Sequence, residues 1–135
     1  MDIIITVPQT IPWEEYEKEL KTVRDESQQM FFKVPFLPKK TNVGDKCYVC
    51  YRGAVLGYMF ISHLGYINGF QCTTTNEQWD DGYYIGRTGK FHWLVDPIPY
   101  KGFQGFRYAP DKWGQLPTNS NFSINMVTNP NDFIK

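Results

Sequence analysis

The residues best suited to chemistry in this chain lie between Gly82 and Tyr108, in the stretch GYYIGRTGKFHWLVDPIPYKGFQGFRY. Tyr83, Tyr84, Phe91, Trp93, Tyr100, Phe103, Phe106 and Tyr108 are interleaved there with Arg87, Lys90, His92, Lys101 and Arg107, and Asp96 is the only acid. Flat apolar rings set among cations make a surface that can stack a nucleobase and pair with its phosphate. Tyr84, Trp93, Phe103 and Phe106 are the expected stacking rings. Gln104 is expected to read a base edge through its amide, and Arg87, Lys101 and Arg107 to meet phosphate. Gly102 and Gly105 surround that glutamine and would let backbone approach a ligand closely. The competing reading is plainer: aromatics along strands fill a core, and Gly and Pro make turns.

His92 and Phe91 point to opposite faces of one strand, so only one of them can face the core. On an open face His92 would stack on a base or hydrogen-bond to it; otherwise it is a satisfied surface histidine. An enzymatic alternative takes Thr74 as nucleophile with Glu77 or His92 as acid or base, hydrolysing or transferring a group on a nucleoside-like substrate. No spacing selects that set. Walker loops, dinucleotide fingerprints, nucleophile elbows, HExxH and the zinc-deaminase signature are all missing from the sequence, and no cofactor is expected. Cys47-Tyr48-Val49-Cys50 has the CxxC spacing of a zinc pair. It sits in a strand-like run, however, where positions three apart face opposite ways, and only Cys72 with His63 or His92 could complete a set. Buried thiols without metal are the expectation.

With 14 basic and 14 acidic residues the net charge is zero, which argues against a strongly electrostatic duplex binder. The balance hides an asymmetry. Glu14, Glu15, Glu17, Glu19, Asp25 and Glu26 crowd the early segment, whereas the Gly82 to Tyr108 stretch is cationic. A local basic face on a neutral protein suits a small ligand, one base or a short strand. The opening MDIIITVPQT has an early acid and only a short apolar run, unlike a secretory signal, and no segment reaches the length of a membrane span. A cytoplasmic protein with reduced cysteines and no membrane partner is expected.

The elements that must position these residues are readable in outline. Asp2 to Val7 reads as a strand. Pro12 and the acids Glu14 and Glu15 open an amphipathic helix whose Trp13, Tyr16, Leu20 and Val23 share one face, ending near Ser27. Met30 to Phe36, Cys47 to Tyr51 and Ala54 to His63 read as strands, with Arg52-Gly53 as a hairpin turn. Leu64 to Gly69 reads as a turn, Phe70 to Thr75 as a β-prone run, and Tyr83 to Val95 as a hairpin turning at Thr88-Gly89. The expectation is one domain over 1–135 with its core in about 1–113 and a polar tail over 114–135, which holds at most a strand at Phe122 to Val127. The fold class is α+β: a small antiparallel, barrel-like sheet with one main amphipathic helix.

At Gly44-Asp45-Lys46-Cys47-Tyr48-Val49 and Gly57-Tyr58-Met59-Phe60-Ile61 the chain resembles the PUA-like superfamily, the small β-barrel modules that include PUA, ASCH and EVE domains. The shared pattern is a GD(K/R) turn leading into an apolar strand, then a returning strand that begins with glycine. It extends from Val43 to Tyr108. The resemblance implies a PUA-like barrel that binds RNA, a modified base or a nucleotide. The GxKxxExR signature of ASCH domains is missing from the Trp13 to Arg24 helix, which removes support for ASCH-type hydrolysis. The cluster from Asp96 to Tyr108 is also similar to small bacterial and phage proteins. Exposed aromatic patches would equally suit a protein-interaction module that blocks a host factor.

Overall fold

The computed structural model describes residues 1–26, 28–71 and 78–119. Strand β1 (Ile3–Val7) is followed by helix α1 (Trp13–Glu26), β2 (Gln29–Val34), β3 (Lys46–Tyr51) and β4 (Ala54–Ile67). Two short strands, β5 (Phe70–Gln71) and β6 (Gln78–Trp79), pair with each other ahead of the long β7 (Gly82–Pro99). Then come β8 (Phe106–Tyr108), a 3-10 helix (Asp111–Gln115) and β9 (Thr118–Asn119). The main sheet runs β2-β7-β4-β3-β1-β8, with β9 added beside β7, and curls into a half-barrel. The expected α+β class with a barrel-like sheet and one helix is what the chain adopts. Among the described residues no helix is long and apolar enough to cross a membrane.

One pair departs from antiparallel order: β1 runs parallel to β3. A parallel pair needs a long crossover, and α1 with β2 supplies it. The helix takes its start from Pro12 and its first-turn acids Glu14 and Glu15, which face the positive end of its dipole. Its buried Trp13, Tyr16, Leu20 and Val23 cover the inner face of the sheet, packing with Ile3, Ile5, Val49, Met59 and Ile85. The Trp13 ring lies 5.6 Å from Tyr51 and 5.9 Å from Trp93, and the Tyr51 hydroxyl donates to the Ile11 carbonyl at 2.6 Å.

The outer face is covered in its middle by the 3-10 helix. Trp113 packs edge-on to Tyr48 at 5.3 Å and its carbonyl accepts the Tyr48 hydroxyl at 3.0 Å. Side chains alternate between the two faces along each strand. Cys47 therefore joins the inner cluster and Cys50 the outer one. Both are fully buried, and burial pushes the Cys47 thiol up to about 11 and the Cys50 thiol above its ordinary value. Two sulfurs on opposite faces of one sheet cannot converge on a single ion.

Two expected turns lie inside strands instead. Arg52-Gly53 does turn the β3–β4 hairpin, with φ of 48° and 88°, as a type I′ turn requires. Leu64 to Ile67, by contrast, continues β4, and Thr88-Gly89 lies within β7. Along that pair Tyr58 faces His92 and Phe60 faces Thr88, so Gly89, Lys90 and Phe91 lie opposite Met59 alone. This bulge absorbs the Gly89 φ of 84° without reversing the chain, and it bends the strand as barrel curvature demands. Cys72, Thr73, Thr75 and the expected Phe122 to Val127 strand lie outside the described residues.

Candidate functional site

The register across the outer face sets one row of side chains: Arg107 on β8, Ile4 on β1, Tyr48 on β3, Tyr58 on β4 and His92 on β7. Trp113 covers the middle of the row and leaves its two ends. At the β4–β7 end, His92 stacks on Tyr58 with ring centres 4.8 Å apart and planes 13° from parallel. Phe60 stands edge-on to both, at 5.6 Å from Tyr58 and 5.3 Å from His92, and remains 41% exposed. The Lys46 ammonium lies 4.7 Å from the centre of the Tyr58 ring. Lys90, exposed on the bulge, adds a second cation within electrostatic reach of His92.

This setting fixes the protonation of His92. Partial burial, then the charges of Lys90 and Lys46, hold its imidazole below the ordinary 6.5. It is therefore neutral at neutral pH, and its ring stacks without carrying charge. The unfolded chain binds that proton more tightly than the folded one. Stability is accordingly full above 6.5 and falls as the pH drops from there through the folded value.

The residues singled out in the sequence do not form one site. His92 sits on the outer face, with its strand neighbour Phe91 in the inner core. Phe103 and Arg107 lie at the far end of the outer row, where the Arg107 guanidinium rests 4.4 Å over the Phe103 ring, and Lys101 and Gln104 are exposed in the adjoining loop. Four interstrand spacings of about 4.8 Å separate that end from His92, roughly 19 Å in all. Trp93 is a correction: it is 4% exposed, wedged between Phe91 and Trp13, and presents no ring face to a base. Tyr84 is another, fully buried among Phe31, Phe70 and Trp79 with its hydroxyl donating to the Asp80 carbonyl. Phe106 leans on the inner core and pairs with the exposed Phe36. Arg87 points inward beneath the helix and is 3% exposed. Thr74 and Glu77 lie outside the described residues.

On the inner side a cavity of about 600 Å³ opens between α1, the end of β1 and β2. Glu15, Lys18, Glu19 and Thr22 line it from the helix, Met30 and Phe32 from β2, and Tyr16 and Arg87 from the core. Burial pushes the Tyr16 phenol up to about 12, and the nearby Arg87 guanidinium opposes part of that rise. The Tyr16 hydroxyl and the Nε and Nη1 of Arg87 are buried with no well-formed hydrogen bond among the described residues, although the guanidinium approaches the hydroxyl closely enough to lower its pKa.

Phe60, Tyr58 and Lys46 were not legible as site residues. Tyr58 and Phe60 sit in the apolar run from Leu56 to Ile61, which gives no period-2 signal for which ring faces outward, and Lys46 opens the preceding strand and meets Phe60 only through the β3–β4 pairing. The covering of the outer face by Trp113, far along the chain, leaves Phe60 at an open margin, and that is a tertiary fact. No protein-family model matches the chain, and neither does any curated protein or solved structure.

Proposed function

We propose that the protein binds single-stranded RNA, through a base and its flanking phosphates, on the outer face of β4 and β7. The observation that carries this reading is the exposed Phe60 ring set beside the Tyr58–His92 stack, with Lys46 over the Tyr58 ring and Lys90 within electrostatic reach of His92. A base stacks on Phe60 and the open edge of His92, and Lys46 and Lys90 meet phosphate. The exposed Arg107 lies at the far end of the same outer row, with Lys101 and Gln104 exposed in the adjoining loop, and this end would meet a bound strand only several nucleotides away, beyond the Trp113 cover. The resemblance to PUA-like modules supports the same ligand class. A modified base or a free nucleotide would use the Phe60 end alone.

Fluorescence anisotropy with a short labelled oligouridylate tests this. Phe60→Ala is expected to cost about 1–3 kcal/mol of binding, the usual value of one stacked base. Each lysine that meets phosphate should contribute about 0.7 to the log–log salt slope, so Lys46→Ala with Lys90→Ala should flatten it. Unchanged affinity in Phe60→Ala, with an unchanged slope in the lysine variant, would remove this site.

His92 supplies a separate check. Phosphate near Lys46 and Lys90 cancels the charges that help hold the imidazole below 6.5, so binding should raise its pKa and tighten toward acid pH. The imidazole proton signals, followed by NMR from pH 8 to pH 5 with and without oligonucleotide, should titrate at higher pH in the complex. Coincident curves would place the phosphates elsewhere.

A further inference from the structure

Arg87 is a buried cation that the outer-face reading does not use. It lies on β7 between Met30 of β2 and Ile61 of β4, with its side chain on the inner, apolar side of the sheet. A guanidinium 97% removed from solvent ordinarily has its N–H groups engaged, because an unpartnered buried charge is among the costliest features a fold can carry. Here Nε and Nη1 are without a partner among the described residues, and so is the Tyr16 hydroxyl beside them. Both side chains line the cavity of about 600 Å³. Donors left idle at the wall of a cavity that size describe a place for an acceptor to arrive.

The rest of the lining narrows the ligand. Met30, Phe32 and Ile11 offer apolar surface, and Trp79 adds an aromatic edge. At the helix side Lys18 stands with Glu15 and Glu19, and Lys33 adds a cation from β2. Two acids near the cavity disfavour a multiply charged anion, and a planar oxyanion suits the guanidinium fork. We infer that this cavity binds an apolar monocarboxylate, its carboxylate against Arg87 and the Tyr16 hydroxyl and its body along Met30 and Phe32. The Tyr16 phenol, pushed up to about 12, stays protonated and remains a donor throughout the physiological range. This site is on the opposite face of the sheet from the proposed RNA surface and stands or falls independently of it.

The full chain, stripped of bound molecules by unfolding and refolding, is tested by thermal shift and titration with 4-phenylbutyrate, phenyl phosphate and the neutral 4-phenylbutanol. The carboxylate is expected to raise the melting temperature and to bind at least tenfold more tightly than the alcohol. Arg87→Met should abolish that preference and, by removing a buried charge whose Nε and Nη1 have no partner among the described residues, should melt higher than the wild type without ligand. A wild-type measurement needs no variant: the Arg87 Nε–H resonance should move on adding the carboxylate and not on adding the alcohol. Stronger binding of phenyl phosphate than of phenylbutyrate overturns the carboxylate assignment. Equal binding of acid and alcohol, an unmoved Nε–H resonance, or an Arg87→Met chain that melts well below the wild type overturns the site.

Discussion

Trp93→Ala is expected to lower the stability of this protein by about 3–5 kcal/mol, the range for emptying a buried aromatic position. The ring is 4% exposed and lies 4.5 Å from Phe91 and 5.9 Å from Trp13. Through it Trp13, in the first turn of α1, rests on β7. Alanine leaves a void beneath the helix that Tyr16 and Tyr51, themselves stacked at 6.0 Å, are too constrained to fill. With a typical domain stabilised by about 5–15 kcal/mol, such a loss leaves little margin. Urea unfolding measures it. Phe60→Ala should lose only about 0.5–1.5 kcal/mol, because its exposed ring gives up edge contacts and little burial. The pair of variants separates a core ring from a binding ring. Equal midpoints for the two would mean that Trp93 does not carry the helix.

That contrast marks the boundary of what the sequence discloses. The helix was legible because Trp13, Tyr16, Leu20 and Val23 fall at three- and four-residue spacing, and the other faces of those turns carry charge. Arg52-Gly53 was legible because two consecutive left-handed residues have few other uses. The opposed burial of Cys47 and Cys50 followed from the period of two along a strand. Which aromatic faces a ligand was not legible. Both faces of this sheet are covered, the inner by α1 and the outer by the 3-10 helix around Trp113, so rings recur on both sides and alternation loses its polar partner. Trp93 and His92, adjacent in sequence, therefore read alike and do opposite things. Arg87 was picked out by charge alone; that it turns inward beneath Tyr16 depends on the pairing of β7 with β2 and β4.

The long strands β4 and β7 were missed for a related reason. Thr88-Gly89 has the composition of a turn, and Gly89 does adopt a left-handed backbone, but a bulge uses that conformation as readily as a hairpin does. Local sequence specifies the torsion. It does not specify whether the chain reverses there, because that is decided by whether β4 offers a continuous partner on both sides of the irregularity, as it does from Ala54 to Ile67. The same bulge carries Lys90 and swings it beside His92, so the feature that defeats the local reading also builds the basic margin of the proposed site.

Gly57→Ala is the second large effect, and it reaches both the fold and the site. A Cβ at Gly57 would lie 2.1 Å from the His92 carbonyl oxygen, 2.5 Å from the Phe91 ring and 3.0 Å from the His92 carbonyl carbon. The backbone of Gly57 is not left-handed, so the obstacle is space and not torsion. A flexible neighbour could swing aside, but the nearest atom belongs to the backbone of β7, which is held by β4 on one side. The strands must part by about an ångström, and the hydrogen bonds flanking the Gly57–Trp93 pair stretch with them, so the cost should reach or exceed the upper end of overpacking, about 3 kcal/mol. Gly89→Ala is the control: its φ of 84° makes alanine strained, yet nothing lies within 4 Å of the added carbon. That variant should lose only about 1 kcal/mol. Because Gly57 is packed against the backbone of His92 and precedes Tyr58, its substitution should also pull apart the Tyr58–His92 stack and weaken oligonucleotide binding along with stability. Chemical unfolding and anisotropy on both glycine variants measure the two effects together. A Gly57→Ala chain as stable as Gly89→Ala would mean that β4 and β7 do not approach so closely, and the stack that depends on their approach would lose its footing.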